Sequence, residues 1–496
     1  MNVLFIQSDQ HARQFTGCYG DIVRTPHIDW IAQDGVRFDR ASCCSPICAP
    51  TRASLFAGRP VHELGVWDNA SAYDGRPEGW PHYLRDKGIP LTTIGRLDFR
   101  RGADHGIDDM RLEAMRDSDD VIALFRQQPT VQRRACYYEY FDICPRRPGS
   151  APDEVENEAS DTAITEEAVK WLRRERPAGR PWVLYVGYAL PHPKWHPEKE
   201  LFDRYLKDAP ALGAKYLQPI EDLHPFDQRN AVYTCAYENE GPHEIAIMHA
   251  AYRAVIEEFD RQVGQVLQTL RDEKLVEDTL IIYASDHGES ARAHGNVGKS
   301  SMYEESVGIP LVIRGPGLKA GTHATSVVSH LDLFPTIAEA LGLGPPGFSR
   351  GRSLLPLARG AKDPDPQRPG LIEYHASNAP SGVFAIRQGP WKFIEYLGER
   401  PALYNLDDDP DEMHDLVLHE PGETSTKQQV ERMRHVLHSI CDPERVDAQA
   451  KRDQGRRKAE LLRAGTLAHE VYQRGYERNT EALIPWDWAR FEALYH

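Results

Sequence analysis

The sequence predicts an α/β fold, with a sheet flanked by helices and a smaller C-terminal α+β unit built on a short antiparallel sheet. Three observations carry this: short apolar runs that read as buried strands, a long amphipathic helical pattern between two of them, and a change of texture after Leu357. The first run, NVLFIQS from Asn2, is followed by WVLYVGYAL from Trp182, TLIIYAS from Thr279 and IPLVIRG from Ile309, all with the continuous apolar character of parallel strands covered on both faces. From Glu244 to Leu275, Ile256, Phe259, Val263, Val266 and Leu270 recur at helical spacing. A further helix is expected after SHLDLFPT, with Asp332 as cap, Pro335 in the first turn and a stop near Gly342. The Pro- and charge-rich stretch ARGAKDPDPQRPG then places a boundary between a larger α/β domain, 1–365, and a smaller domain, 366–496. In the latter, GVFAIRQ, WKFIEYL and ALYNLDDDPDE read as antiparallel strands, and the charged stretch from Asp442 to Ala464 as an exposed helical extension.

Composition excludes several function classes. A formal charge of −16 argues against a nucleic-acid partner, although it permits a local cationic pocket. There is no run of 18 apolar residues, so no membrane partner is expected, and the chain enters its first strand without a leader pattern, from which a cytoplasmic location is expected. The eight cysteines, at 18, 43, 44, 48, 136, 144, 235 and 441, lack paired zinc-site spacing and read as mostly buried, reduced thiols.

Polar residues that close an apolar strand deserve the first reading, because open α/β sheets bind ligands beyond the carboxyl ends of their strands. Three runs end in chemistry: Asp9-Gln10-His11, Pro191-His192-Pro193 and Asp286-His287-Gly288-Glu289. If those strands are neighbours, two carboxylates, an amide oxygen and an imidazole converge as a divalent cation site. Oxygen ligands favour calcium or magnesium, and His287 leaves room for manganese or zinc. For His11 a structural hydrogen bond is an equal reading. In CSPICAPTRASLFAGR, Cys44 to Arg59, Cys48 falls at a helix amino terminus and Arg52 one turn later, a setting for an anion.

That stretch carries a resemblance. Cys48-Ala49-Pro50-Thr51-Arg52, followed by an Ala-Ser-Leu helix and Gly-Arg, resembles the type I sulfatase signature, with Thr51 in place of the usual serine. GVWDN at Gly65, PHP at Pro191, SDHGE at Ser285, KSSMYEES at Lys299 and LYNLDDDPDEMHDL at Leu403 extend it along nearly the whole chain. The resemblance implies an alkaline phosphatase-like fold, with a large mixed, mostly parallel sheet. It also implies hydrolysis of a small anionic sulfate ester through a gem-diol of formylglycine, made from Cys48 by a formylglycine-generating enzyme, via a covalent sulfo-enzyme intermediate. By the same resemblance Asp9, Gln10, Asp286, His287 and the modified Cys48 are metal ligands, with calcium the expected ion. Arg52 orients the nucleophile, Lys299 binds the transferring group, His192 protonates the leaving oxygen and Asn69 contacts the bound group. Relatives that form homo-oligomers make such an assembly an expectation.

One departure bears on substrate. Where many sulfatases carry Gly-Lys-x-His, this chain has Gly95-Arg96-Leu97-Asp98. Arg96 keeps the charge and a fork suited to a tetrahedral anion. Asp98 either points away, has a raised pKa, or meets a cationic part of the substrate. A phosphonate monoester or phosphodiester hydrolase using the same site is the alternative function, and Arg100, Arg101 and His105 are candidate rim contacts.

Overall fold

The computed structural model describes residues 1–116, 143–146, 156–233, 241–377 and 379–463. Its larger sheet has eight strands in the order β4-β3-β5-β1-β6-β7-β2-β8. These are β1 (Asn2–Ser8), β2 (Val36–Ser42), β3 (Leu91–Arg100), β4 (Asp109–Arg116), β5 (Val183–Gly187), β6 (Thr279–Ser285), β7 (Leu311–Arg314) and β8 (Thr322–Ser329). The helices that matter here are α1 (Pro26–Gln33), α2 (Cys48–Ala57), α3 (Glu156–Lys170), α4 (Pro242–Asp272), α5 (Leu333–Ala340), α6 (Thr424–Ile440) and α7 (Pro443–Arg463).

The apolar runs at Asn2, Trp182 and Thr279 form β1, β5 and β6, three adjacent parallel strands. The fourth run is a correction: β7 pairs antiparallel with both β6 and β2. Four buried residues in a row demand cover on both faces and say nothing of direction. Because β7 reverses once, β2 points the same way as β6, so the carboxyl ends of β3, β5, β1, β6 and β2 share one rim. Glycine sets the spacing there. Gly95 has φ +90°, and a Cβ on it would lie 2.2 Å from the Gly187 carbonyl, so β3 approaches β5 closely enough to bring Arg96 and Asp98 to the rim.

The helix α4 forms as its periodicity predicts, burying Ile256, Phe259, Val263, Val266 and Leu270. Helix α5 ends before Gly342, which adopts φ +74°. Asp332 does not cap it. Ser329 accepts the Leu331 amide instead, while Asp332 accepts the Ser329 and Arg352 amides and pairs with Arg368.

The smaller sheet, order β12-β11-β10-β9, consists of β9 (Gly370–Tyr374), β10 (Val383–Gln388), β11 (Trp391–Tyr396) and β12 (Ala402–Asn405), all antiparallel. Tyr374, Val383, Ile394 and Tyr396 on one face join the same buried cluster as Phe38, Phe226 and Tyr303. On the other face Phe384, Ile386, Phe393 and Leu403 pack with α6 and α7. Helix α7 is therefore no exposed extension. Val446 and Ala450 enter that core, and Asp447 accepts the Gly382 amide.

Candidate active site

Cys48 begins α2, and its sulfur lies in a wholly buried cluster. The donor atoms of Asp9, Cys48, Asp286 and His287 all fall within 4.8 Å of one another. Asp9 follows β1, Asp286 and His287 follow β6, and Cys48 follows β2, so the shared rim brings together what the sequence spreads over 279 positions (9 to 287). Cys48 Sγ stands 3.2 Å from His287 Nε2 and 3.8 Å from Asp9 Oδ1. Lys299 Nζ donates to that sulfur at 3.2 Å and to Gln10 Oε1 at 2.7 Å. Burial and Asp9 raise the thiol's pKa, but Lys299 and His287 outweigh them and bring it below the ordinary value.

Arg52 is the electrostatic keystone. Enclosed completely, it donates from Nε to Asp286 Oδ2 at 2.9 Å, from Nη2 to Asp9 Oδ2 at 3.0 Å, and from Nη1 to the Arg96 carbonyl and Tyr185 hydroxyl. Arg96 adds Nε at 2.9 Å from the same Asp9 oxygen. Burial alone would raise the Asp9 pKa; Arg96, His192, Arg52 and Lys299 together hold it well below the usual carboxylate range. The remaining Asp9 oxygen, Oδ1, faces Cys48 and His287, and Asp286 Oδ2 lies 3.8 Å from His287 Nε2. Two carboxylates, an imidazole and the position-48 side chain around one point fit a divalent cation. Gln10 borders that point, its amide shared between Lys299 and Glu289.

Asp98 faces inward. With φ +61°, its carboxylate sits 3.2 Å from Arg96 Nε and 3.6 Å from Arg52 Nε, so it pairs with the site's own guanidinium groups. Asn69 Oδ1 accepts the Ala49 amide at 3.0 Å, tying the Gly65–Asn69 loop to the start of α2. Thr51 explains its own tolerance: its hydroxyl accepts the Cys44 amide at 3.2 Å and lies 3.1 Å from His330 Nδ1, roles that need the oxygen and not a serine. His192 is partly buried beyond β5, its Nδ1 donating to the Pro193 carbonyl at 2.6 Å. Burial and Lys299 push its pKa well below the imidazole value.

The structure separates the other candidates. His11 is structural, bonded to the Tyr283 hydroxyl and the Phe15 carbonyl. His105 is no rim contact, being buried against Phe99 and bonded to the Tyr73 carbonyl. Arg100 pairs with Asp74. Cys43 and Cys44 are buried free thiols, whereas Cys136 and Cys235 lie outside the described residues. Sequence reasoning named Glu289 within the run that closes β6 but gave it no role; its buried carboxylate accepts the Ala291 and Gly298 amides and the Gln10 side chain, fixing the loop before Lys299. Its signal was its place in the Ser285–Glu289 segment. Tyr185, buried in the middle of a strand, gave none.

Comparison with known proteins bears on the chain's family and fold. Residues 1–343 match the family model described as Sulfatase, and residues 292–439 match that of N-sulphoglucosamine sulphohydrolase, C-terminal. The chain is 31% identical to arylsulfatase K of Bos taurus, across 90% of this chain and 83% of that protein. It is 28% identical to the choline-sulfatase of Rhizobium meliloti (strain 1021), across 96% and 95%. Its fold is similar to that of the phosphonate monoester hydrolase of Agrobacterium radiobacter, with a TM-score of 0.70 and 24% identity over 88% of this chain and 95% of that one.

Proposed function

Because the chain belongs to the sulfatase family of sulfuric ester hydrolases, we propose that it cleaves a small sulfate ester at residue 48, with a formylglycine made from Cys48 as the nucleophile. The observation that carries this reading is the convergence of Lys299 Nζ, His287 Nε2 and the Asp9 carboxylate on Cys48 Sγ. A divalent cation, calcium before magnesium, manganese or zinc, would be held by Asp9, Asp286, His287 and residue 48 with Gln10 beside it, and would supply positive charge to the ester oxygens. A formylglycine would supply a hydrated carbonyl, and so a second hydroxyl, that a thiol lacks.

The chain's own residues account for the rest. A sulfate ester resists attack because its oxygens repel nucleophiles and its leaving alkoxide is unstable. Lys299, already within hydrogen-bond reach of residue 48, binds the transferring oxygens. Arg96, anchored through Nε to Asp9, keeps a positive charge near residue 48 for the same anion. Arg52 is spent on the two carboxylates and holds them in place, one helical turn from residue 48. His192, with Nδ1 committed to Pro193, is given the departing oxygen: the bound anion favours uptake of a second proton on Nε2, and that proton passes to the leaving group.

The tests are direct. Mass spectrometry of the peptide containing residue 48 should show the loss expected when thiol sulfur becomes aldehyde oxygen. Turnover of an aryl sulfate should exceed that of the matching phosphonate monoester and phosphodiester. Aryl and choline esters, named by the relatives, are the first to try. The second reading, phosphonate monoester hydrolysis, draws on Asp98 in the donor's slot, and a preference for the phosphonate would establish it over sulfate cleavage.

A further inference from the structure

We propose that Asn157 and Asp161, one turn apart on α3, are positioning residues that set the ring tautomer and aim of His192. The inference rests on the leaving-group role given to His192 above. Strand β5 ends at Gly187, five residues before His192, so the strand alone does not place the ring. The turn between them is held from α3. Asp161, wholly buried, accepts the Ala189 amide on one carboxylate oxygen and the Leu190 amide on the other, each at 2.8 Å. Asn157 Nδ2 donates to the His192 carbonyl at 2.9 Å and to the Pro193 carbonyl at 3.2 Å. Trp195 closes the same turn with its indole N–H on the Pro191 carbonyl at 2.7 Å. The Leu190 carbonyl accepts the Asp9 amide, so the turn is also in register with a proposed cation ligand.

The Pro193 carbonyl is the pivot, because it accepts from both Asn157 and His192 Nδ1. A carbonyl oxygen can only accept, so His192 carries its hydrogen on Nδ1. Nε2 is the ring's second nitrogen, and the leaving-group role falls to it. In the resting site the ring is neutral and Nε2 carries no proton; the anionic ester favours uptake of a second proton from solvent there, and in the cleavage step the oxygen of residue 48 bonds to sulfur as the S–O bond to the leaving group breaks, the departing oxygen takes that proton from Nε2, and the ring returns to the neutral Nδ1–H form. Asn157 does not touch substrate. By holding the Pro193 carbonyl where it meets Nδ1, it selects which nitrogen does the chemistry.

The decisive experiment varies the leaving group. Assisted departure matters most when the leaving oxygen is basic, so a unit that aims the acid shows its effect as a slope. Asn157→Leu and Asp161→Asn are expected to lower kcat about tenfold for phenyl sulfate yet less than about threefold for a nitrophenyl sulfate. His192→Asn should show the same ordering, amplified. Equal losses across the series, or none, would overturn the proposal. A chain that prefers aryl phosphonates would fail the sulfate reading while the same series, run on those esters, still decides this one. A readout independent of turnover is nitrogen NMR of histidine-labelled protein, with the His192 signals identified by their loss in His192→Asn. The wild-type ring should be the Nδ1–H tautomer and the Asn157→Leu ring a mixture. An unchanged tautomer in a folded Asn157→Leu protein would also overturn it.

Discussion

Replacing Arg52 by methionine removes the group on which the site's charge balance depends. The guanidinium is sealed between Asp9 and Asp286, both fully buried, and makes four hydrogen bonds that methionine makes none of. Breaking one side of a buried ion pair costs about 3–5 kcal/mol, because the orphaned carboxylates stay out of water. Arg96 Nε, 2.9 Å from Asp9, offsets part of this for Asp9 and none for Asp286, so about 3 kcal/mol is expected in chelator-treated protein. Arg52→Lys keeps the charge but not the fork, and should lose less. The assay is urea unfolding with and without saturating calcium. The deficit of Arg52→Met should shrink with calcium, since a cation between the carboxylates restores the missing positive charge and binds the folded state alone. A metal-free deficit under about 1 kcal/mol would refute the claim that Arg52 compensates the pair. A full deficit that calcium leaves untouched would refute the cation's placement at Asp9 and Asp286.

Three further outcomes are expected. Gln454 on α7 donates to Asp68 Oδ2 and the His375 carbonyl, each at 2.8 Å, and Trp67 donates to Asp453, so α7 clasps the loop whose Asn69 holds the start of α2. Gln454→Leu should cost about 1–3 kcal/mol for the unsatisfied Asp68 oxygen and raise KM more than it lowers kcat, read from melting and steady-state kinetics. Asp98→Asn removes a negative charge beside Arg96 and Arg52 and should tighten inhibition by inorganic sulfate about tenfold, or 1.4 kcal/mol; weaker inhibition would mean that Asp98 chiefly orients Arg96. Burial lowers the His62 pKa, but Glu373 more than reverses this and leaves it raised, while Glu373 is brought down to about 2. A raised histidine pKa gives stability that is complete below about pH 6.5 and lost as pH rises through the folded value, so the melting-temperature gap between wild type and Glu373→Gln should narrow from pH 6 to pH 9.

What was legible in the sequence was what hydrophobic patterning and strand-end chemistry encode. β1, β5 and β6 are covered on both faces and therefore read as apolar runs, and the residues closing β1 and β6 supply Asp9, Asp286 and His287 to the buried cluster. β2 and β8 escaped notice because VRFDRAS and THATSVVS bury only part of their length, and pairing rather than composition makes them strands. The direction of β7 depends on its neighbours and leaves no trace in Leu311–Arg314. Helix α7 misled for a different reason. Its docking relies on Asp447, Asp453 and Gln454, with Val446 and Ala450 its buried apolar contacts among the described side chains, so a search for an apolar stripe sees a solvated helix. Asp332 misled because a better cap, Ser329, lay three residues earlier.

The same reasoning explains how a chain of formal charge −16 holds a site for an anion. Around residue 48 the carboxylates of Asp9, Asp286 and Asp98 face the guanidinium groups of Arg52 and Arg96, each within about one hydrogen bond of an opposite charge, and Lys299, donating to Gln10 Oε1 and the Cys48 sulfur, brings the sum of the six to zero. These pairs cancel locally, which lets six charged groups share a water-poor rim without a net field that would repel the next ion. A divalent cation entering at Asp9 and Asp286 would turn that balanced set positive, and the field would be felt at short range because little water is present to screen it. Anion affinity then belongs to the loaded site and not to the surface of the protein. It also follows why an aspartate can stand where a donor is usual: Asp98 answers the second guanidinium that Arg96 brings, and with that pair intact the excess charge offered to the ester comes from the cation and Lys299.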